Sequence, residues 1–315
     1  MEINKPVIIY GAGFRGGRNF LALAEENVHV EAFCDRDADH IPLYFGCDVL
    51  NCEEAIKRYP HLPFIVSIDN ENARNQVVGH LREKKIEAYE SFEAFFQGLN
   101  DAEVETKCCG TRASFQIVPA LLEPSKQLTA YSFGIGFDFS FEKELAEKYG
   151  IEVYAFDPSP EVVQDMDRQV LPENLKYYAY GLSDQDMLKT FYLPSSGQDY
   201  SEYFAPWTSS KKIQMQVYRL STLMKKFGHT HLDLLKMDIE GSEFLALPDI
   251  LNTGIAFDQL CIETHTRIFP NSVERMRQVK ELLNRHGYRM VSNGRQEQTY
   301  VYADLIKYCA KGTEK

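Results

Sequence analysis

One local pattern occurs twice along the chain: an apolar run, a turn rich in glycine, a helical stretch and a second apolar run that ends in an aspartate. The first copy ends at Asp35 and the second at Asp157, each about twenty residues after its glycines. Short apolar runs that alternate with longer amphipathic runs predict βαβ units, and such units build parallel sheets. The sequence therefore predicts an α/β protein in which two sheets are built in the same way.

The boundary between the two predicted sheets lies near residue 105. Between Asn100 and Arg112 the apolar periodicity is lost and acidic residues gather, which is typical of a junction between domains. A chain of 315 residues also exceeds the size at which one hydrophobic core usually keeps growing. We expect two Rossmann-like domains: a small nucleotide-fold domain over residues 1–105 and a larger domain over residues 106–315.

Seven apolar runs in the second domain predict five parallel strands followed by a hairpin. The runs cover residues 131–133, 153–156, 177–179, 232–237, 259–262, 288–291 and 300–302. A polar turn alone separates the last two runs, so these are predicted to pair antiparallel. In sheets of this kind ligands bind at the edge where the parallel strands end.

Composition and charge exclude several classes of function. The sequence has 46 acidic and 34 basic residues, a formal charge of -12 and no basic stripe, so nucleic acid is not an expected partner. There is no apolar run of about eighteen residues, and the opening residues do not resemble a secretory signal, so membrane insertion is not expected. Seven cysteines without a C-x-x-C pair favour the reducing cytoplasm. A homo-oligomer is compatible with this composition.

The glycine turn of the second domain predicts a nucleoside site. Gly134 and Gly136 follow a strand and precede a helix, where the absence of side chains lets backbone N–H groups approach a ligand. Asp157 closes the next strand at the same edge, where its carboxylate could accept hydrogen bonds from ribose hydroxyls. The alternative is a tight turn beside an exposed aspartate that caps a helix.

Two further strand ends bring acids and an imidazole to this edge. Asp238 and Glu240 follow the fourth strand, and Glu263 and His265 follow the fifth. Because close carboxylates repel one another unless a cation compensates, these four groups could together hold Mg²⁺ or Mn²⁺. Without a metal they could bind acceptor hydroxyls directly, with Glu263 or His265 as the general base. A purely structural alternative stays open, in which Lys236 and a helix N-terminus balance the charges.

Three segments of the second domain resemble the FkbM-type methyltransferases and their eukaryotic methyltransferase-like relatives. They read YSFGIGFDFSFEKELAEKYGIEVYAFDPSP at 131–160, LDLLKMDIEGSEFLAL at 232–247 and QLCIETH at 259–265. The resemblance covers about residues 108–305, and the K-x-D-x-E-G-x-E block is its most specific part. It implies a class I sheet and an S-adenosylmethionine-dependent methyltransferase. Because characterised members methylate hydroxyl groups, it also implies O-methylation of a sugar, glycan precursor or secondary metabolite.

The resemblance assigns roles to individual residues. Gly134 and Gly136 match the glycines of the cofactor loop, and Asp157 matches the acid that binds the ribose. Asp238 and Glu240 match the block beside the transferred methyl group. With Glu263 and His265 from the strand-end argument, the predicted catalytic residues are Asp238, Glu240, Glu263 and His265.

The predicted cofactor loop departs from the class I pattern at two positions. Ser132 stands where many class I enzymes have an acid, and Asp138 stands where a final glycine is common. With these two positions included, the predicted cofactor site comprises Ser132, Gly134, Gly136, Asp138, Asp157, Ser183 and Asp184.

An aromatic stretch between the third and fourth strands is predicted to contact the acceptor. The range 191–217 has few helix signals and contains Tyr192, Tyr200, Tyr203, Phe204 and Trp207. Flat rings stack on sugar faces, so these residues could form a wall for a small-molecule or glycan acceptor. Ordinary packing of a hairpin accounts for them equally well.

The first domain carries the dinucleotide-binding spacing G-x-G-x-x-G. Gly11, Gly13 and Gly16 come directly after a strand, and Asp35 closes the next strand. They predict a second site, for a nucleotide or a nucleotide-sugar. Two rival functions stay open: an NAD(P)-dependent oxidoreductase that uses this loop, and a non-catalytic nucleotide-sugar-binding protein. A domain of this shape that binds nothing and serves docking is a further alternative.

Overall fold

The computed structural model describes residues 6–25, 28–123, 127–194, 200–203, 208–265, 272–294 and 296–309. These residues belong to two units, Met1–Leu99 and Asn100–Lys315. Both units are mixed α/β structures with sheets rich in parallel strands.

Six strands and four helices are described in the first unit. The strands are β1 (Val7–Tyr10), β2 (Val30–Cys34), β3 (Leu43–Tyr44), β4 (Cys47–Leu50), β5 (Phe64–Val66) and β6 (Ala88–Tyr89). The helices are α1 (Phe14–Glu25), α2 (Cys52–Arg58), α3 (Glu71–Glu83) and α4 (Phe92–Gln97). The strand order is β3-β4-β2-β1-β5-β6, and only the β3–β4 pair is antiparallel within this described sheet.

Local sequence explains why these elements form where they do. Strand β1 is an uninterrupted apolar run whose first three residues are fully buried, as expected for a central parallel strand covered on both faces. Helices α2, α3 and α4 each begin after a residue whose side chain accepts a hydrogen bond from a backbone N–H of the first turn. These N-cap residues are Asn51, Asn70 and Ser91.

The second unit contains more elements. Its strands are β7 (Lys107–Cys109), β8 (Phe115–Ile117), β9 (Thr129–Phe133), β10 (Glu152–Phe156), β11 (Leu175–Tyr178), β12 (Gly181–Leu182), β13 (Met187–Pro194), β14 (Thr208–Tyr218), β15 (His231–Met237), β16 (Ala256–Glu263), β17 (Tyr288–Gly294) and β18 (Glu297–Tyr302). Its helices are α5 (Ser140–Tyr149), α6 (Pro160–Met166), α7 (Leu220–Phe227), α8 (Glu243–Asn252), α9 (Ser272–Arg285) and α10 (Ala303–Cys309).

The main sheet of the second unit has the order β11-β10-β9-β15-β16-β18-β17. The first five strands are parallel, and β18 pairs antiparallel with both β16 and β17. The five parallel strands and the closing hairpin predicted from the apolar runs are therefore confirmed. The order reverses at β9, which lies between β10 and β15, and such a switch point opens a crevice at the carboxyl ends of the strands.

A second, three-stranded sheet has the order β12-β14-β13. Strands β13 and β14 form an antiparallel hairpin, which is the aromatic stretch noted in the sequence. Phe191, Met215 and Val217 pack together in it with Tyr200 and Ile213. Phe204 and Trp207 lie outside the described residues, so the aromatic wall predicted from the sequence is only partly described.

Among the described residues of both units, no helix has both the length and the apolar character needed to cross a membrane.

Candidate functional site

A cavity of about 550 Å³ lies at the carboxyl edge of the main sheet in the second unit. Its walls are the turns after β9, β10 and β15, the chain at 180–182, and three side chains of the aromatic hairpin region, namely Phe191, Tyr200 and Met215. The volume lies within the range of roughly 300 to 1,000 Å³ that is typical of small-molecule sites. Of the predicted cofactor residues, Gly134, Gly136, Asp138 and Asp157 line this cavity, as do Asp238 and Glu240.

Gly134 is the position where the chain most needs a glycine. A Cβ atom built on it would lie 1.6 Å from the backbone oxygen of Asp238, at the end of the neighbouring strand. Its backbone also has a φ of +74°, in the left-handed region that favours glycine. The turns after β9 and β15 therefore pack backbone against backbone at this position.

Asp157 ties this glycine turn to the end of β10. One carboxylate oxygen accepts a hydrogen bond from the N–H of Gly136 at 3.0 Å, and the other accepts one from the N–H of Ser159 at 2.9 Å. The residue is only 5% exposed, and this burial raises the pKa of its carboxyl group. Asp157 is therefore not exposed, as the structural alternative had it, although its two hydrogen bonds do hold the turns together. The Ser159 side chain is a further hydrogen-bond partner of this carboxylate. A carboxylate has about four acceptor positions, so one remains that a ligand hydroxyl could use.

Ser132 lies inside the sheet and not on the cavity wall described for this chain, which corrects its prediction as a cofactor residue. It is fully buried on β9, and its hydroxyl donates a hydrogen bond to the carboxylate of Glu142 on α5. Burial raises the pKa of Glu142. Alternation of side chains along a strand accounts for the outcome, because the residue two positions before the glycine turn faces α5.

Asp138 lies on the cavity wall, but its carboxylate is engaged in holding a loop. One oxygen accepts hydrogen bonds from the N–H groups of Arg112 and Ala113, and the other accepts one from the N–H of Ser140. Burial opposes ionisation, yet hydrogen bonds from Ser140, Arg112 and Ala113 lower the pKa of Asp138 to about 2. The residue thus organises the loop beside the cavity.

Ser183 and Asp184, which were predicted to bind the cofactor, lie just beyond the described cavity wall. The Lys189 ammonium donates a hydrogen bond to the Ser183 hydroxyl at 2.7 Å and lies 3.5 Å from a carboxylate oxygen of Asp184. The wall itself is formed by the preceding residues, Gly181 and Leu182. Ser183 and Asp184 therefore follow the strand β12 that lines the cavity, and their role in cofactor binding stays a prediction.

Four carboxylates surround the imidazole of His265, which is 1% exposed. Its Nδ1 lies 2.7 Å from an oxygen of Glu243, while its Nε2 lies 3.3 Å from Glu240, 3.5 Å from Glu263 and 3.7 Å from Asp238. The structure thus brings together all four residues that were predicted to be catalytic. Glu243 was not among them, although the K-x-D-x-E-G-x-E block contains it.

The electrostatics of this cluster favour a charged imidazole. Burial by itself lowers the pKa of His265, but the carboxylates of Glu243 and Glu240 outweigh burial and raise the pKa well above its ordinary value. Burial, followed by the negative charge of Asp238, raises the pKa of Glu263 to about 7. In the absence of a metal ion, Glu263 is therefore the better proton acceptor of the two at neutral pH.

Lys236 links the carboxylate cluster to the glycine turn. This lysine is 1% exposed, and its ammonium donates a hydrogen bond to the carbonyl oxygen of Gly134 at 2.6 Å. The same ammonium lies 3.4 Å from a carboxylate oxygen of Asp238. The compensation by Lys236 that was considered from the sequence is therefore present.

Three of the clustered residues lie close enough together that they could hold a metal ion. One ligand atom each from Asp238, Glu263 and His265 lie within 4.8 Å of one another. A carboxylate that accepts a hydrogen bond from the remote ring nitrogen, as Glu243 can do for His265, is the usual support of a metal-binding histidine.

The first unit contains a similar glycine turn after β1. A Cβ atom at Gly16 would lie 1.8 Å from the backbone oxygen of Gly11, so the start of α1 lies against the turn itself. At Gly13, in contrast, no described atom lies within 4 Å of such a Cβ. The space beside Gly13 is therefore open to a ligand.

Asp35 engages this turn in the manner of Asp157. One of its carboxylate oxygens accepts a hydrogen bond from the N–H of Ala12 at 2.7 Å, and the other accepts one from the N–H of Asp37 at 3.0 Å. Asp157 likewise bonds the glycine turn with one oxygen and the residue two positions further on with the other. The two units therefore repeat the same strand-end geometry.

A parallel sheet with a glycine turn, an acid and a cavity at its carboxyl edge is characteristic of α/β proteins that bind ligands at the switch point of the sheet. Residues 130–290 match the family model described as the methyltransferase FkbM domain, which is more than half of the 315 residues. The chain belongs to this family.

Two curated proteins are similar to part of this chain. The probable methyltransferase-like protein 24 of Homo sapiens is 26% identical over 144 residues, covering 45% of this chain and 33% of that protein. The protein of the same name from Rattus norvegicus is also 26% identical over 144 residues, 34% of its length. The match thus spans about a third of the length of these curated relatives.

Two solved structures are similar to the chain. One is the methyltransferase FkbM of Methylobacillus flagellatus KT, which is 14% identical with a TM-score of 0.35, over 95% of this chain and 90% of that one. The other is the fibrillarin pre-rRNA processing protein of Methanococcus jannaschii, which is 11% identical with a TM-score of 0.35, over 63% of this chain and 83% of that one.

Proposed function

We propose that the chain is an S-adenosylmethionine-dependent methyltransferase that methylates a hydroxyl group of a sugar, glycan precursor or secondary metabolite. The observation that carries this proposal is the convergence of the glycine turn, Asp157 and the carboxylate cluster at one edge of the sheet, with a cavity beside them. Membership of the FkbM family supports methyl transfer. On this proposal the second unit is a class I methyltransferase domain and the first a Rossmann-like nucleotide-fold domain. A cytoplasmic location stays a prediction.

The donor half of the site is assigned to the glycine turn. A Cβ at Gly134 would clash with the Asp238 backbone, whereas no described atom lies within 4 Å of a Cβ at Gly136. Gly136 lines the cavity, so the turn exposes main chain to a ligand at this position. The backbone at Gly134 and Gly136 would hold S-adenosylmethionine, and Asp157 would accept hydrogen bonds from its ribose hydroxyls. When bound, this donor supplies a methyl group that is already activated by the sulfonium. The main work left to the protein is therefore to align the acceptor oxygen.

The acceptor half is assigned to the carboxylates after β15 and β16. Asp238 and Glu240 line the cavity and can accept hydrogen bonds from acceptor hydroxyls. Without a metal, Glu263 would take the acceptor proton, because its pKa of about 7 suits a general base at neutral pH.

A divalent cation fits the same groups. Asp238, Glu240 and Glu263 offer the oxygen ligands that Mg²⁺ and Mn²⁺ prefer, and His265 offers Nε2 while Glu243 holds its other nitrogen. A bound cation would lower the pKa of a hydroxyl coordinated to it. We therefore include Mg²⁺ or Mn²⁺ in the proposal. In the metal-free alternative, a protonated His265 balances the carboxylates, and the metal dependence of turnover separates the two cases.

Donor binding tests the proposed function directly. Asp157→Ala should weaken the binding of S-adenosylhomocysteine by about 1.5 to 3 kcal/mol, the range for hydrogen bonds to a charged group. Asp165→Ala is a matched control, because Asp165 belongs to the following helix α6 and lies outside the described cavity wall. Isothermal titration calorimetry gives the affinities, and thermal melts show that the variants are folded. Unchanged affinity in a folded Asp157 variant would remove this residue from the donor site.

A second site in the first unit is also proposed, for a nucleotide or nucleotide-sugar. The observation that favours it is the Asp35 carboxylate, which bonds the glycine turn as Asp157 does in the other unit. Gly11, Gly13 and Gly16 would present backbone to the phosphates, and Asp35 would bond the ribose. The rival oxidoreductase would use this same site for NAD(H).

Gly13→Val is expected to abolish this second binding without unfolding the unit. No described atom lies within 4 Å of the new Cβ, so the substitution adds its side chain in open space. The dinucleotide fingerprint brings backbone close to a pyrophosphate at this position. Thermal-shift measurements with UDP, a UDP-hexose and NAD(H) should show stabilisation of the wild type but not of the variant. S-adenosylhomocysteine should bind both proteins equally. If the wild type binds none of the three probes, the alternative of a docking domain is correct. If it binds NAD(H) but not S-adenosylhomocysteine, the oxidoreductase alternative is correct.

A further inference from the structure

We propose that Ser201 is a positioning residue that fixes the Glu240 carboxylate in the acceptor half of the cavity. The inference rests on the proposed function, because it gives Glu240 a role in methyl transfer. Ser201 lies in the aromatic stretch, but it is not one of the site residues predicted from the sequence. It is not part of the described cavity wall, so it acts through Glu240.

Glu240 has a backbone conformation that needs support from its surroundings. Its φ is +51°, in the left-handed region that residues with a Cβ atom rarely adopt. Such residues persist where neighbouring contacts determine them, and they concentrate at functional sites. This conformation accompanies a carboxylate that lines the cavity and lies 3.3 Å from Nε2 of His265.

Ser201 supplies a contact of this kind. Its hydroxyl donates a hydrogen bond of 2.6 Å to the carbonyl oxygen of Glu240 and accepts one from the N–H of Tyr203. The serine is 6% exposed, so water does not readily replace this bond. Because the two residues are 39 positions apart, the bond fixes the turn after β15 to a separate part of the chain.

The segment around Ser201 is itself held in place. Ser201 exchanges two backbone hydrogen bonds with Tyr192 on β13, at 2.7 and 3.2 Å. On either side, the Tyr200 hydroxyl donates to Glu161 on α6, and Glu202 forms an ion pair with Lys189 on β13. The backbone that carries the serine hydroxyl is therefore held in position by these contacts. Loss of the serine hydroxyl would weaken the support of the Glu240 peptide in the left-handed region, so that its carboxylate would shift relative to the cluster.

Ser201→Ala tests this role through turnover. We expect kcat to fall about tenfold, the effect of losing one buried hydrogen bond, while the affinity for S-adenosylhomocysteine changes less than about twofold. Ser201→Thr keeps the hydroxyl and should restore most of the turnover. Thr190→Val on β13 is the matched control, because it removes a hydroxyl of the same hairpin that bonds Gln214. A tenfold loss in the threonine variant or in the control would overturn the proposal.

A double-mutant cycle separates positioning from general stability. In a Glu240→Gln background the carboxylate is already absent, so Ser201→Ala should lower kcat by less than about twofold further. Fully additive losses would show that Ser201 acts independently of the Glu240 carboxylate and would overturn the proposal.

Hydrogen exchange provides a readout that needs no acceptor. In Ser201→Ala the amides of Ile239 and Ser242, which are both hydrogen-bonded within the turn, should exchange about tenfold faster, while in Thr190→Val they should not change. Unchanged exchange in the alanine variant would overturn the proposal. Failure of the wild type to bind S-adenosylhomocysteine or to transfer methyl would instead refute the proposed function, and the exchange rates would still decide whether Ser201 holds the turn.

Discussion

Gly134→Ala should abolish measurable binding of S-adenosylhomocysteine. The new methyl carbon would lie 1.6 Å from the Asp238 carbonyl oxygen, and backbone cannot move aside as a flexible side chain can. The turns after β9 and β15 would have to separate, which would displace donor-binding groups and carboxylates together. We therefore expect no detectable heat of binding in calorimetric titrations at ligand concentrations that saturate the wild type.

Gly150→Ala is the control that isolates this close approach. Gly150 ends α5 with a φ of +67°, similar to the +74° of Gly134, but no described atom lies within 4 Å of its added Cβ. The substitution should therefore introduce the same backbone strain, about 1 to 2 kcal/mol, without the clash. It should lower the melting temperature and leave donor affinity unchanged. Similar donor affinities in both variants would contradict the assignment of Gly134.

Removal of divalent cations should abolish methyl transfer. Dialysis against EDTA would strip the ion assigned to Asp238, Glu263 and His265, and Mn²⁺ or Mg²⁺ should restore turnover. Labelled methyl transfer to a panel of hydroxyl acceptors measures the effect. Turnover that survives chelation would favour the metal-free alternative, in which Glu263 takes the proton directly.

Glu263→Gln tests whether the Glu263 carboxylate takes part in methyl transfer. Without a metal, turnover should fall about a hundredfold to ten-thousandfold, the range for losing a general base. With a metal, turnover should fall because the cation loses a carboxylate ligand. In both cases S-adenosylhomocysteine affinity should stay nearly constant. His231→Gln is the control. His231 belongs to a second cluster of one histidine and two carboxylates, with Asp233 and Asp258, at the start of β15 and β16. Loss of donor binding in Glu263→Gln would place this residue in the donor half of the cavity.

The sequence by itself determined the order along the chain of the seven strands of the main sheet and, to within one residue, where its five parallel strands end. Apolar runs of strand length separated by amphipathic runs predict βαβ units, and parallel strands all point their carboxyl ends to one edge. For this reason the glycine turn at Gly134, the acid at Asp157 and the groups at Asp238 and His265 could be placed together before any contact was known. Local patterns carry this information because burial and chain direction repeat with the period of each element.

Only the tertiary structure decided which partner each of these side chains takes. The Glu243 carboxylate is hydrogen-bonded to the imidazole of His265. The Lys236 ammonium donates a hydrogen bond to the carbonyl of Gly134, 102 positions away. The Ser201 hydroxyl donates one to the carbonyl of Glu240. No local pattern encodes such pairs, because they depend on how the crossovers and the inserted hairpin fold back over the sheet edge. Ser132 likewise faces away from the cavity and bonds Glu142, because only the fold decides which face of β9 the helix α5 covers.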